Sequence, residues 1–87
     1  MRFSYRKGNV TIEYNGKKAR FHGDICPHGF IALVSSMEWA DPDNNAPVTE
    51  EDRRELIRLI NRNATPTNNK FYFVDDDYYA LDYYNNL

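Results

Sequence analysis

The chain has 87 residues, of which 41% are hydrophobic and 28% charged, and its formal net charge is −2. This length is typical of one small domain, which we expect to span residues 1–87. The composition is that of a globular protein and argues against a fibrous or disordered chain. The longest apolar run, residues 30–34, is far shorter than the roughly twenty residues of a membrane-spanning helix, so we expect no membrane as a partner.

The first residues do not have the pattern of a secretory signal. Arg2, Arg6 and Lys7 interrupt any apolar region there, so we expect a cytoplasmic protein. Cys26 is the only cysteine, which excludes a disulfide bond within the chain and agrees with that compartment.

The two ends of the chain carry opposite charge. Residues 1–22 hold six basic side chains against one acid, Glu13, whereas residues 71–87 hold four aspartates and no base. Four tyrosines lie among these aspartates. We call residues 75–87 the acidic aromatic tail, and its distinctive members are Asp75, Asp76, Asp77, Tyr78, Tyr79, Asp82, Tyr83 and Tyr84.

The strongest local signal is Asn15-Gly16 between two alternating runs, which predicts a hairpin with a two-residue type I′ turn. In that register Ile12 pairs with Ala19 and Val10 with Phe21 on one apolar face, and Glu13 lies opposite Lys18 on the polar face. Residues 3–5 alternate in the same way and predict a preceding strand. Gly23-Asp24 is expected to end the hairpin.

The rest of the chain predicts a central strand, a loop, one helix and a returning strand. Residues 30–34 are apolar on both faces, as in a strand that is covered on both sides, and residues 40–47 have turn chemistry. Thr49 is a candidate N-cap for an amphipathic helix over residues 49–62, beneath which Phe30, Met37 and Trp39 are expected to pack. Residues 71–74 predict a strand, and the tail could add another.

Together these elements predict an α+β fold. We expect an antiparallel sheet of four to six strands with the single helix, residues 49–62, packed on one face.

His22, Asp24, Cys26 and His28 lie within seven residues, so a metal site or a thiol nucleophile has to be considered. Their spacing follows no common zinc pattern, and no third group is available to orient a Cys–His pair. Residues 75–77 could hold a hard cation, but such acidic runs are more often solvated loops. We expect no catalytic residues, no metal and no cofactor.

Nucleic-acid binding through the predicted hairpin is an alternative function. Phe3, Tyr5 and Tyr14 would then act as stacking platforms. The alternation, however, assigns these rings to the apolar face and the charges to the opposite one. The basic side chains that would contact the phosphates are those of Arg2, Arg6, Lys7, Lys18 and Arg20.

The acidic aromatic tail favours protein binding. Tyrosine is common at interface anchors, and carboxylates accelerate encounters with a basic partner. The competing interpretation is that the tyrosines pack as an edge strand which the aspartates keep soluble. We predict a partner surface formed by Asp75, Asp76, Asp77, Tyr78, Tyr79, Asp82, Tyr83 and Tyr84, with Glu38, Trp39 and Asp41 as further candidates.

The order of motifs along residues 8–74 resembles the immunity protein 74 family of bacterial polymorphic toxin systems. The segment Ser-Ser-Met-Glu-Trp at residues 35–39, followed by a capped helix, is its most specific part. The tail exceeds the family pattern. The other matching motifs are Asn15-Gly16, Gly23-Asp24, Gly29-Phe30, Asp41-Pro42 and Pro47-x-Thr49-Glu50-Glu51.

The resemblance implies an α+β antitoxin without catalytic residues. It implies that the antitoxin is encoded beside a secreted or contact-delivered toxin, which it binds and neutralises in the cytosol. An acidic surface suits a toxin that itself binds polyphosphate, so we expect a basic nuclease as the partner and no nucleic acid. The alternative is a small adaptor domain that binds nucleic acid through the basic hairpin.

Overall fold

The computed structural model describes residues 1–40 and 45–87, which form six strands and two helices. The predicted α+β class is confirmed. The strands are β1 (Arg2–Arg6), β2 (Asn9–Tyr14), β3 (Lys17–Cys26), β4 (Gly29–Leu33), β5 (Glu38–Trp39) and β6 (Lys70–Val74), and the helices are α1 (Glu50–Asn63) and α2 (Asp82–Asn85), with a 3-10 turn at Val34–Ser36.

The β2–β3 hairpin has the predicted register. Ile12 lies opposite Ala19, Val10 opposite Phe21, and Glu13 opposite Lys18. Both turn residues have positive φ, 47° at Asn15 and 73° at Gly16, as a type I′ turn requires.

The β2–β3 pairing ends at His22, just before Gly23-Asp24, as predicted for the hairpin. Strand β3 itself continues to Cys26 and changes partner. Its first part pairs with β2 and β5, and its last four residues pair with β4. Gly23 lies at the change with φ 155°, and a Cβ there would be 1.9 Å from the Ile31 carbonyl oxygen. Only glycine permits this approach, so β3 can serve both parts of the sheet.

The five longer strands follow the order β1-β2-β3-β4-β6, and β5 pairs with β3. All pairings are antiparallel except β4–β6, which is parallel, so the sheet is mixed rather than wholly antiparallel. The reason is the crossover through α1, which returns the chain to the starting end of β4. At this joint Gly29 passes so close to Lys70 that a Cβ would be 1.9 Å from the Lys70 carbonyl oxygen.

Helix α1 begins one residue later than predicted and is held by a capping box. Thr49 accepts a hydrogen bond from the Asp52 amide at 3.0 Å, and Asp52 accepts one from the Thr49 amide at 3.1 Å. The apolar stripe of the helix is buried in the core, except for Leu59, which is half-buried. Its fully buried members are Leu56, Ile57 and Ile60, and Phe30, Met37 and Trp39 are buried in the same cluster, as predicted.

On the inner face of the sheet, side chains of the outermost strands β1 and β6 meet. The rings of Phe3 and Phe71 lie 5.7 Å apart, and the Tyr5 hydroxyl donates to Asn69 Oδ1 at 2.6 Å. Strand β4 is interior to the sheet, as expected, but is not covered equally on both faces. Phe30 and Ala32 are fully buried on the inner face, whereas Ile31 and Leu33 on the outer face are only half-buried.

The tail does not form the strand that the sequence allowed. A single bridge joins Val74 and Ala80, and α2 follows. The Asn85 amide then pairs with the open edge of β6, accepting from the Phe73 amide and donating to the Phe73 carbonyl, both at 2.8 Å. A side chain thus replaces a neighbouring strand at an edge that would otherwise be available for aggregation.

Neither helix in the described residues combines the length and the apolar character needed to cross a bilayer.

Replacing Asn85 by Ala should leave the amide of fully buried Phe73 without its partner, whereas the Phe73 carbonyl keeps the hydrogen bond from the Leu81 amide at 3.0 Å. We expect the free energy of unfolding to fall by about 1–3 kcal/mol in a urea titration. Asn86→Ala, at an exposed neighbouring position, is the matched control and should unfold like the native chain. Equal stability of the two variants would contradict the proposed role of the Asn85 amide.

Candidate protein-binding surface

The acidic aromatic tail contains two structural parts. Residues 75–79, which we call the acidic turn, form a closed loop directly after β6. Asp75 Oδ1 accepts hydrogen bonds from the amides of Asp77 at 2.9 Å and Tyr79 at 3.0 Å. The Asp75 amide donates to the Tyr79 carbonyl, also at 2.9 Å. Asp75 therefore organises the turn, and its carboxylate is already engaged in backbone contacts.

Tyr78 adopts the left-handed backbone conformation, with φ 66°, which is costly for a residue with a side chain, at about 1–2 kcal/mol. Two contacts hold it there. Its amide donates to the Asp75 carbonyl at 2.9 Å, and its hydroxyl donates to Asp24 Oδ2 at 2.8 Å. The second bond raises the pKa of the Tyr78 hydroxyl, because the Asp24 carboxylate favours the protonated phenol.

The Tyr78–Asp24 bond fixes where the acidic turn lies. Tyr78 follows β6, Asp24 belongs to β3, and β4 lies between these strands. The Tyr78 side chain therefore extends across the outer face of β4. Asp24, Ile31 and Tyr72 are direct neighbours in the three strands and form one row on that face.

Exposure distinguishes the residues of this surface. Tyr79 is 71% exposed, Tyr78 49% and Tyr72 47%. Asp76 accepts a hydrogen bond from the Ser35 hydroxyl at 2.5 Å, and Asp77 is exposed. Within residues 1–40 and 45–87, no basic group forms an ion pair with any of the three aspartates of the turn. The surface is therefore aromatic and uncompensated in charge.

Of the remaining predicted tail residues, Tyr83 and Tyr84 contact α1, and Asp82 is exposed at the start of α2. The Tyr84 hydroxyl donates to Glu50 Oε2 at 2.7 Å, and the Arg54 guanidinium lies 5.6 Å from the centre of the Tyr83 ring. Asn61 Nδ2 donates to the carbonyls of Tyr84 and Leu87 at 3.1 Å. These contacts attach α2 to α1 and engage the side chains of Tyr83 and Tyr84 within the fold.

A groove of about 360 Å³ separates the acidic turn from α1. Asp75 and Asp76 line its turn side, and Arg53 lines its helix side. Arg53 donates to the Val34 carbonyl at 3.3 Å and to Glu50 at 2.9 Å, so its guanidinium is held by the fold. The remaining lining residues are Val34, Ser35, Leu81 and Tyr84.

The three further candidates, Glu38, Trp39 and Asp41, have different outcomes. The side chain of Glu38 is partly exposed and bound to two neighbours. His22 Nε2 lies 2.9 Å and Arg20 Nη1 3.4 Å from Glu38 Oε1, and the His22 contact is the main reason that the pKa of Glu38 is lowered. Trp39 is only 8% exposed and donates from Nε1 to the Pro47 carbonyl, so the prediction of Trp39 as a surface contact is wrong. Asp41 lies outside the described residues.

Three of the six basic side chains in residues 1–22 form ion pairs with acids. Arg2 pairs with Glu13 at 3.6 Å and Lys17 with Glu55 at 3.5 Å, and Arg20 meets Glu38 as described above. Tyr14 is buried, and the rings of Phe3 and Tyr5 contact one another and the core. The rings that could stack on bases are therefore directed inwards, away from the charges.

The Cys–His cluster is dispersed. His22 is engaged with Glu38, whereas Cys26 and His28 line a separate groove of about 280 Å³ beside Tyr5. Burial raises the pKa of the Cys26 thiol, which disfavours the reactive thiolate. The described residues contain no group of three or more His, Cys, Asp or Glu side chains arranged to hold a metal ion.

A family model described as Immunity protein 74 matches residues 3–74, which is most of the chain. The chain belongs to the immunity protein 74 family. The sequence resemblance is thereby confirmed, and the match reaches from β1 to the last residue of β6. Comparison with curated proteins and with solved structures returns no match.

Membership in the immunity protein 74 family indicates an inhibitor and implies a toxin as its partner. The matched residues provide the sheet and α1, whereas the acidic turn and α2 follow the matched region. Sequence reasoning missed Tyr72 as a surface residue, although alternation along residues 70–74 could have revealed it. Phe71 and Phe73 point inwards, so Tyr72 between them has to point outwards.

Asp75→Ala should loosen the acidic turn because it removes the acceptor of two backbone hydrogen bonds. We expect faster hydrogen exchange of the Tyr79 amide and a loss of about 1 kcal/mol in the free energy of unfolding. Asp75→Asn keeps an Oδ1 acceptor and should retain most of the protection. Asp77→Ala is the matched control. If Asp75→Ala exchanged no faster than this control, the assigned role of Asp75 would be wrong.

Proposed function

We propose that this immunity protein neutralises a basic toxin domain, a nuclease, by direct contact through the acidic turn and the neighbouring outer face of the sheet. The observation that carries the proposal is the turn itself, in which three carboxylates without a basic partner in the described structure lie beside strongly exposed Tyr79. We further propose that the pair belongs to a bacterial polymorphic toxin system and meets in the cytoplasm.

Charge supports a basic partner. Carboxylates grouped on one surface attract cationic groups over distances of about 8–10 Å at ordinary ionic strength and accelerate association. A nuclease needs a cationic surface to bind the phosphates of its substrate. An acidic protein surface is complementary to the same groups, so it can cover them and exclude the substrate. This form of neutralisation requires no catalytic residue in the inhibitor.

The two parts of the tail support different tasks. Asp77 and Tyr79 have side chains that make no hydrogen bond within the described residues, and both are exposed. Tyr84 and Asn85, in contrast, bind Glu50 and Phe73. We therefore propose that the partner contacts the acidic turn, and that the residues after it are chiefly structural.

Asp77→Asn should slow association with the toxin domain without altering stability, because the exposed carboxylate contributes to the field and not to the fold. We expect the association rate to fall by a factor of about 2–5 at low salt, within the range of about 10–1,000 that such fields provide as a whole. The decrease should disappear at high salt. Stopped-flow mixing with the toxin domain encoded by the neighbouring gene measures this.

Glu51→Gln is the matched control, since Glu51 is an exposed acid on α1 rather than on the acidic turn. It should associate nearly as fast as the native chain. An unchanged rate for Asp77→Asn, or an equal decrease for Glu51→Gln, would move the contact away from the acidic turn.

The alternative function, nucleic-acid binding through the hairpin, is tested separately. Two of the five basic residues assigned to this function, Arg2 and Arg20, are paired with acids, and the rings that could stack point inwards. We therefore expect no change in fluorescence polarisation of labelled DNA or RNA at physiological salt. Saturable binding that is lost in Arg6→Gln or Lys7→Gln would favour the adaptor function over toxin binding.

A further inference from the structure

The outer face of the sheet carries an exposed aromatic row that the fold itself does not cover. The core and α1 occupy the inner face, where Phe30, Phe71 and Phe73 are buried. On the other side, Ile31 is half-buried and Tyr72 is 47% exposed. This part of the outer face is therefore open to a partner.

The acidic turn extends this row into a larger surface. The Tyr78 hydroxyl reaches Asp24, the register partner of Ile31, and Tyr79 follows it at 71% exposure. Asp24 accepts from the Tyr78 hydroxyl and lies in one row with Tyr72, and Asp77 directly precedes Tyr78 and Tyr79 in the acidic turn. We call these residues the tyrosine row: Asp24, Ile31, Tyr72, Asp77, Tyr78 and Tyr79.

This combination of rings and carboxylates matches the chemistry of arginine. A guanidinium group stacks on an aromatic face and at the same time donates hydrogen bonds to a carboxylate, whereas a lysine ammonium lacks the planar shape for both. The same chain contains one such contact, between the Arg54 guanidinium and the Tyr83 ring at 5.6 Å. Within the described part of the chain, no cation lies over the rings of Tyr72, Tyr78 or Tyr79.

We propose that the tyrosine row is the holding surface for an arginine-bearing face of the toxin domain. The inference rests on the proposed function and adds a division of tasks within it. The carboxylates of the acidic turn govern how fast the partners meet, and the rings of Tyr72 and Tyr79 govern how long they stay together. Charge complementarity selects a cationic protein surface as the occupant, and the exposed rings beside carboxylates select arginine.

The experiment compares Tyr72→Ala with Tyr83→Ala, two exposed tyrosines on different surfaces. We expect the dissociation rate of the complex with the neighbouring-gene toxin domain to rise about tenfold or more for Tyr72→Ala, with the association rate changed less than twofold. Tyr83→Ala should dissociate like the native chain. Tyr72→Phe retains the ring and should keep dissociation within about threefold of native. Surface plasmon resonance gives both rates.

Tyr79→Ala provides a second variant at the most exposed of these positions, in case Tyr72→Ala lowers the stability of the sheet. Circular dichroism melting identifies any variant that is not folded. Changing the surface arginines of the toxin domain to lysine should also accelerate dissociation, although the charge is preserved.

The outcomes separate the two proposals. Unchanged dissociation for both Tyr72→Ala and Tyr79→Ala, together with slower association of Asp77→Asn, would overturn the tyrosine row as the holding surface and leave the proposed function intact. If the native chain did not bind the toxin domain, the proposed function would fail, and this inference with it.

Discussion

The parallel pairing of β6 with β4 is the constraint on which the rest of the surface depends. It places Tyr72 beside Ile31 and directs the chain out of the sheet next to the 3-10 turn, where Asp76 meets Ser35. The pairing is possible because Gly29 allows β4 to approach Lys70 at a distance that no side chain could tolerate. With β6 elsewhere, Tyr78 could not reach Asp24, and the acidic turn would have no fixed relation to the sheet.

Features determined by neighbouring residues were predictable from the sequence. The Asn15-Gly16 turn specifies its own register, and Thr49 with Asp52 specifies the start of α1. The partner change at Gly23 was not predictable in this way, because it arises from a carbonyl on β4 rather than from any adjacent residue. The parallel β4–β6 pair likewise follows from the tertiary path of the crossover. Local chemistry therefore identifies the elements, whereas contacts between distant residues determine how they are joined.

The same limit explains why the sequence identified the tail as unusual but could not show which of its residues bind the fold and which are exposed. Asp75 and Asp77 are identical in type and two residues apart, yet one binds two backbone amides and the other is exposed. Tyr79 and Tyr84 differ in the same way, because the Tyr84 hydroxyl donates to Glu50 whereas the Tyr79 side chain is exposed. Composition records how many acids and rings the tail contains, but a three-dimensional path is needed to separate those that hold the fold from those that face outwards.

The distribution of these tasks limits how the surface can change without loss of the fold. The family match ends at Val74, so the residues that complete the edge of β6 and those that project from it both follow the matched sheet. Asn85 is constrained by its two bonds to Phe73, and Asp75 by its bonds to the turn. Asp77 and Tyr79, between these fixed points, have no such constraint. Substitutions at those two positions can therefore alter exposed charge and aromatic area while the sheet edge stays closed. If the proposed contact is correct, specificity and stability are separated within these thirteen residues.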